Sequence, residues 1–144
     1  GGVVARLSNV YGPGMSLNNV VSTILGQISG TGPVRIWDDK PVRDLIWVED
    51  VALALATMVR MDCGGIYNVG TGKGTQIGDL ALLALDLASE TGRGVVATKP
   101  SGKNSHNTLD IKVTINQLEW VPQTMLDKGI RSLLSKKKIG RKDA

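Results

Sequence analysis

Residues 2–14 read GVVARLSNVYGPG, and the reading of this stretch decides the fold. Val3–Leu7 is a short continuous apolar run, the pattern of a strand buried on both faces. It meets an Asn-x-Tyr-Gly-Pro-Gly turn within a few residues of the start of the chain. A free-standing domain seldom opens on a finished core strand, so the strand is expected to belong to a larger sheet.

Working outward, the rest of the chain alternates between the two periods. SLNNVVSTILGQIS (16–29) spaces Val20, Ile24, Leu25 and Ile28 helically, with Ser16 as the expected N-cap. VRIW (34–37) and RDLIWV (43–48) read as strands around the turn DDKP (38–41). VEDVALALATMVRM (48–61) is a helix whose acidic first turn suits the helix dipole. GGIYNVG (64–70) is a strand, QIGDLALLALDLASETG (76–92) a helix expected to end at Gly92, and GVVATK (94–99) a strand. After the polar stretch PSGKNSHNT, residues 110–137 read as two short helices broken at Val121-Pro122. Strands alternating with helices give an α/β architecture of mixed short strands and helices. No linker or internal repeat divides it. A single domain is expected over 1–135, followed by a disordered basic tail at 136–144.

The net charge of +4 and pI near 9.4 owe everything to that tail. Residues 136–142 hold five Lys/Arg, whereas residues 1–134 hold 12 basic and 12 acidic side chains. No basic stretch is interleaved with aromatics, so neither nucleic acid nor membrane is expected as a partner. One cysteine (Cys63) and one histidine (His106) leave no disulfide and no metal set, and a cytoplasmic setting is expected.

GTGKGT (70–75), between a strand and a helix, resembles a dinucleotide loop at first glance. The third glycine of G-x-G-x-x-G is replaced by Thr75, and the acidic partner about twenty residues on is absent from a strand end. An ordinary glycine-rich turn is the expected reading, with the amides at the following helix start still open to an anion.

Four segments occur in one order: RLSNVYGPG (6–14), PVRDLIWVEDVALAL (41–55), GIYNVGTG (65–72) and LDIKVTINQLEWVPQTMLDKGI (109–130). Together they resemble the C-terminal half of the extended short-chain dehydrogenases/reductases, the NAD(P)-dependent nucleotide-sugar epimerases and dehydratases. The resemblance spans residues 3 to about 131. It implies the C-terminal portion of an extended Rossmann-type fold. It also implies a nucleotide-sugar substrate and NAD or NADP held mainly by an absent N-terminal cofactor domain. The full enzyme would form a homodimer.

The family's catalytic Tyr-x-x-x-Lys does not occur here, since Tyr11 is followed four residues on by Met15 and Tyr67 by Thr71. The resemblance therefore implies the substrate-binding part of an epimerase or dehydratase, with a UDP-sugar 4-epimerase favoured. The alternative is a truncated, non-catalytic nucleotide-binding or scaffold module of the same family. No catalytic, cofactor-binding or metal-ligating residue is assigned within the chain.

The resemblance places Asn9 against the nucleotide-sugar. Asn18 and Asn19 either meet substrate or serve helix-start chemistry. Arg43 is implied on the diphosphate, which a guanidinium fork suits, unless it pairs with Asp44 or Asp39. Trp37 either stacks on the base or packs in the core. Asp50, Trp47 and Trp120 read as structural residues. Asp38-Asp39-Lys40 replaces the family's Gly-Asp-Gly, and Pro100 stands about where a second phosphate-binding Arg is usual, leaving Lys99 or Lys103 as substitutes. His106 reads as exposed and inert.

Overall fold

The computed structural model describes residues 2–139, with side chains as far as 136. The strands are β1 (Val3–Leu7), β2 (Asn9–Tyr11), β3 (Val34–Ile36), β4 (Val42–Trp47), β5 (Gly65–Val69), β6 (Gly74–Gln76), β7 (Val95–Ala97) and β8 (His106–Asn107). The helices are α1 (Val20–Gln27), α2 (Val48–Arg60), α3 (Ile77–Leu87), α4 (Lys112–Leu118) and α5 (Leu126–Ile139). α5 runs on through residues 136–139 of the tail expected to be disordered, and the rest of that tail, 140–144, lies outside the described residues.

β4 is the spine. Its residues Asp44 to Trp47 are all buried, and successive side chains of a strand point to opposite faces. Leu45 and Trp47 enter one apolar cluster with Tyr11, Ile24, Val34, Leu80, Leu85 and Ile130. Ile46 enters a second cluster with Val51, Met58, Tyr67, Val69, Leu118 and Trp120. Two clusters on opposite faces explain why the run LIW is apolar throughout.

β2 lies parallel to the end of β4, pairing Asn9 with Leu45 and Tyr11 with Trp47. β6 lies antiparallel to its start, Arg43 opposite Thr75, and β8 runs parallel there, Arg43 opposite Asn107. β3 pairs in parallel with β7, and β1 with β5, Val3 opposite Gly65 through Leu7 opposite Val69. α3 buries Ile77, Leu80, Ala81, Ala84 and Leu85, the spacing of a helix with one inward face.

Two expectations are corrected, and the strand expected to belong to a larger sheet shows its apolar residues: in β1 Val4 is 52% exposed, and Val3 and Leu7 are exposed too. Among the described residues its strand partner is β5, and its Ala5 reaches the second cluster. The N-cap of α1 is Asn19 rather than Ser16. Asn19 Oδ1 accepts from the Val21 N–H at 2.9 Å while its Nδ2 donates to the Val10 carbonyl at 3.0 Å. That second bond ties the helix start to β2, which Ser16 could not do while closing a turn with Asn18 and Asn19. α3 stops at Leu87 rather than near Gly92. Ser89 takes a left-handed φ of 63°. Its N–H donates to the Asp86 carbonyl, and the Glu90 N–H to that of Leu85, both at 2.9 Å. This is the Schellman closure, with serine where glycine is usual.

Candidate functional site

The candidate residues fall into two groups, one about the segment 99–107 and one about β2 and the start of α1. The first consists of Trp37, Arg43 and the segment 99–107 that straps over them. The Lys99 N–H donates to the Trp37 carbonyl at 2.7 Å. The Ser101 hydroxyl and N–H both donate to the Asp38 carboxylate, at 2.5 and 2.8 Å. Those bonds, with one from the Lys40 N–H, hold the Asp38 carboxyl down to about 2. The DDK turn is thus pinned to the strap by an ionised side chain, a role unavailable to a Gly-Asp-Gly turn.

Arg43 is half-buried where β4 lies between β6 and β8. One terminal nitrogen donates to the Val42 carbonyl at 2.8 Å and to the Ser105 carbonyl at 3.1 Å. The expected alternative, an ion pair with Asp44 or Asp39, does not form: among the described residues the ion pair is Arg93 with Glu90, at 3.9 Å. Neighbours along a strand face opposite ways, so Asp44 turns into the interior while Arg43 keeps its charge and the rest of its fork unmatched by a carboxylate.

Trp37 is 75% exposed, so the core-packing alternative fails. Its indole is bare except where the Lys99 ammonium stands 5.0 Å from the ring centre, a cation–π distance. Lys103 donates its N–H to the Ser101 hydroxyl and is exposed. His106 is exposed on β8, its Nε2 3.0 Å from the Thr108 hydroxyl.

The second group is Asn9, Asn18 and Asn19. Asn9 opens β2 with an exposed side chain, and Asn18 is exposed in the turn before α1. Asn19 is committed to capping, so helix-start chemistry describes it. The strap bonds to Trp37 through Lys99 and to Arg43 through Ser105, and Asn19 bonds back to Val10, the residue after Asn9. A cavity of about 140 Å³ lies elsewhere, between Leu45, Lys73, Thr75 and Pro122, and none of the five candidates lines it.

Asp44 is the organising residue that the sequence reading treated only as a partner for Arg43. It is fully buried. Its Oδ1 accepts from the Thr71 N–H at 2.8 Å and the Thr71 hydroxyl at 2.6 Å; its Oδ2 accepts from the N–H groups of Gly72 at 3.1 Å and Leu109 at 3.3 Å. One carboxylate therefore binds the GTG turn and the chain leading to α4 onto β4. Gly70 lacks a side chain for the same reason, since a Cβ there would stand 2.6 Å from Asp44 Oδ2.

These bonds decide the dinucleotide question. The amides of Thr71 and Gly72 point at a protein carboxylate, and a further strand, β6, intervenes before α3. At the start of α3 the N–H groups of Ile77 and Gly78 are taken by the carbonyls of Pro41 and Asp39, each at 2.9 Å. Neither set is free for an anion, so GTGKGT does not fit a cofactor pyrophosphate.

The residues read as structural behave so. Trp47 packs edge-on against Tyr11, ring centres 5.4 Å apart. Asp50 is buried and accepts from the Thr124 N–H at 2.9 Å. Trp120 is buried in the second cluster. Burial, with the nearby Asp50 and Asp127 carboxylates, pushes the Tyr11 phenol well above its ordinary value. Arg93, which the sequence did not single out, is structural too: it donates to the carbonyls of Gln27, Ile28 and Gly32 at the end of α1.

With the geometry established, comparison with known proteins is direct. The profile described as the NAD dependent epimerase/dehydratase family matches residues 2–70. The dTDP-L-rhamnose 4-epimerase of Burkholderia thailandensis is 31% identical over 137 residues, covering 90% of this chain and 38% of that protein. The UDP-glucose 4-epimerase of Thermotoga maritima, solved with UDP-glucose, superposes with a TM-score of 0.80 at 27% identity, over 95% of this chain and 46% of that one. RMD of Pseudomonas aeruginosa, solved with NADPH, shares the fold with a TM-score of 0.87 at 23% identity, over 96% of this chain and 48% of that one. The chain spans less than half the length of these relatives. No helix among the described residues is long and apolar enough to cross a membrane.

Proposed function

From a chain whose residues 2–70 belong to the NAD dependent epimerase/dehydratase family, we propose a nucleotide-sugar-binding role. The chain holds the nucleoside diphosphate of a sugar nucleotide for an NAD(P)-dependent epimerase or dehydratase, of the UDP-sugar 4-epimerase kind. The observation that carries this is Arg43, a guanidinium steadied by two carbonyls and matched by no carboxylate among the described residues. Its remaining N–H groups suit a diphosphate, which a planar fork binds through paired, charge-assisted bonds.

Around that anchor, Trp37 offers an exposed indole face for the base. Asn9 offers an uncharged amide, donor and acceptor at once, to phosphate or sugar oxygens. Asn18, exposed in the turn before α1, offers a second polar contact, whereas Asn19 holds the helix start. The chemistry on the sugar, with NAD or NADP, is assigned to residues this chain does not carry, and the complete enzyme is proposed to be a homodimer. The relatives' names speak of dTDP- and UDP-sugars, whose bases share one pyrimidine-dione ring.

The test is calorimetric titration of the chain with UDP. Arg43→Ala is expected to weaken binding by about tenfold or more, the loss of one to two charge-assisted bonds. Its unfolding free energy should fall by about 1–3 kcal/mol, the worth of the two bonds to carbonyls that are given up. Arg43→Lys should fall between, having charge without the fork. Unchanged affinity in Arg43→Ala would remove the diphosphate from this site.

A further inference from the structure

Lys99 has a placement that simple solvation does not explain. It enters the strap directly after β7, its N–H fixed 2.7 Å from the Trp37 carbonyl, and its ammonium returns to stand 5.0 Å from the centre of the Trp37 ring. The same strap supplies the Ser105 carbonyl that holds Arg43 and the Ser101 groups that hold Asp38. On the nucleotide-binding reading, with the diphosphate at Arg43 and the base on Trp37, one face of the indole is already held by the Lys99 ammonium. A flat base and an ammonium cannot both take one face of one indole.

We propose that Lys99 is a specificity-determining residue that makes the site selective for phosphorylated nucleotides over bare nucleosides. The inference rests on the nucleotide-binding reading given above. In the free protein the ammonium holds the ring face. A nucleobase displaces it, and the released charge is recovered only when the ligand brings a phosphate for the ammonium to meet. A nucleoside pays for the displacement and receives nothing in return. A flexible four-carbon stem with a compact charge is suited to such an exchange in a way that a rigid fork is not.

This predicts effects of opposite sign from a single substitution. Lys99→Met keeps the length of the stem and removes the charge. It should tighten uridine binding by about threefold, the worth of an exposed cation–π contact. It should weaken UDP binding by about threefold, the worth of an exposed charge pair. Lys99→Arg, which retains both charge and ring contact, should behave as the wild type toward uridine.

Trp37 reports directly, because it is 75% exposed whereas Trp47 and Trp120 are 5% and 7% exposed. Titration of the full 144-residue chain with uridine and with UDP, followed by iodide-accessible tryptophan fluorescence, reads the wild type and both variants. Opposite shifts for the two ligands support the exchange. Uridine affinity unchanged or weakened in Lys99→Met overturns it, because ammonium and base then do not compete. UDP binding that is intact in every variant overturns it while leaving the nucleotide site standing. If the wild type binds neither ligand, the nucleotide reading itself fails, and this inference with it.

Discussion

Replacing Asp44 by asparagine is expected to lower the stability of the protein by about 3 kcal/mol, a large share of the 5–15 kcal/mol typical of a domain. The shape of the side chain hardly changes, so packing is not the cause. Asp44 accepts four hydrogen bonds, two at each oxygen, while buried from solvent. An amide presents two hydrogens where one oxygen stood. Either Thr71 or the pair Gly72 and Leu109 then faces a donor with a donor, and each stranded N–H costs about 1–3 kcal/mol. The surviving bonds also lose the reinforcement of the negative charge. A urea titration reads this as a lower midpoint at an unchanged slope. A loss below about 1 kcal/mol would mean that the GTG turn is held by something other than Asp44.

Gly129→Ala is expected to destabilise by about 2 kcal/mol, against the direction that helix propensity dictates. Alanine in a helix interior is worth about 1 kcal/mol over glycine, and Gly129 lies within α5. Yet a Cβ at this position would stand 2.9 Å from both Cε2 and Cζ of Tyr11 and closer still to its hydroxyl. Tyr11 cannot retreat: it is 1% exposed and wedged against Trp47. Overpacking of this kind costs about 1–3 kcal/mol or more and outweighs the propensity gain. Tyr11→Phe removes a buried hydroxyl that has no hydrogen-bond partner. The double variant should therefore regain part of the loss, which thermal unfolding of the four-member cycle would measure. A stabilised Gly129→Ala would show that α5 does not rest on Tyr11.

The same residues show what a sequence can and cannot disclose. The long elements were legible because each carries its own period: α2 and α3 repeat their buried positions helically, and β1, β4 and β5 are apolar runs. β2, β6 and β8 were not, being two or three residues long. They exist because β4 offers edges to pair with, whereas the equally short β3 and β7 carry the β-branched apolar residues that mark a strand. Within the candidate site, Arg43 and Trp37 were found through their motif, and their chemistry is visible in the residue types. The role of Asp44 was hidden because Arg-Asp reads as two surface charges. The clue was the alternation that puts Asp44 on the face of Ile46, opposite to Arg43. Gly129 and Tyr11 lie far apart in sequence, and only packing joins them.

The central claim is that Arg43 and Trp37 form one nucleotide site beneath the strap. The most direct measurement is a crystal structure of the protein with UDP. The account predicts the diphosphate within hydrogen-bonding distance of the Arg43 guanidinium and the uracil ring stacked on Trp37. UDP bound away from Arg43, or absent from the strap at saturating concentration, would contradict it.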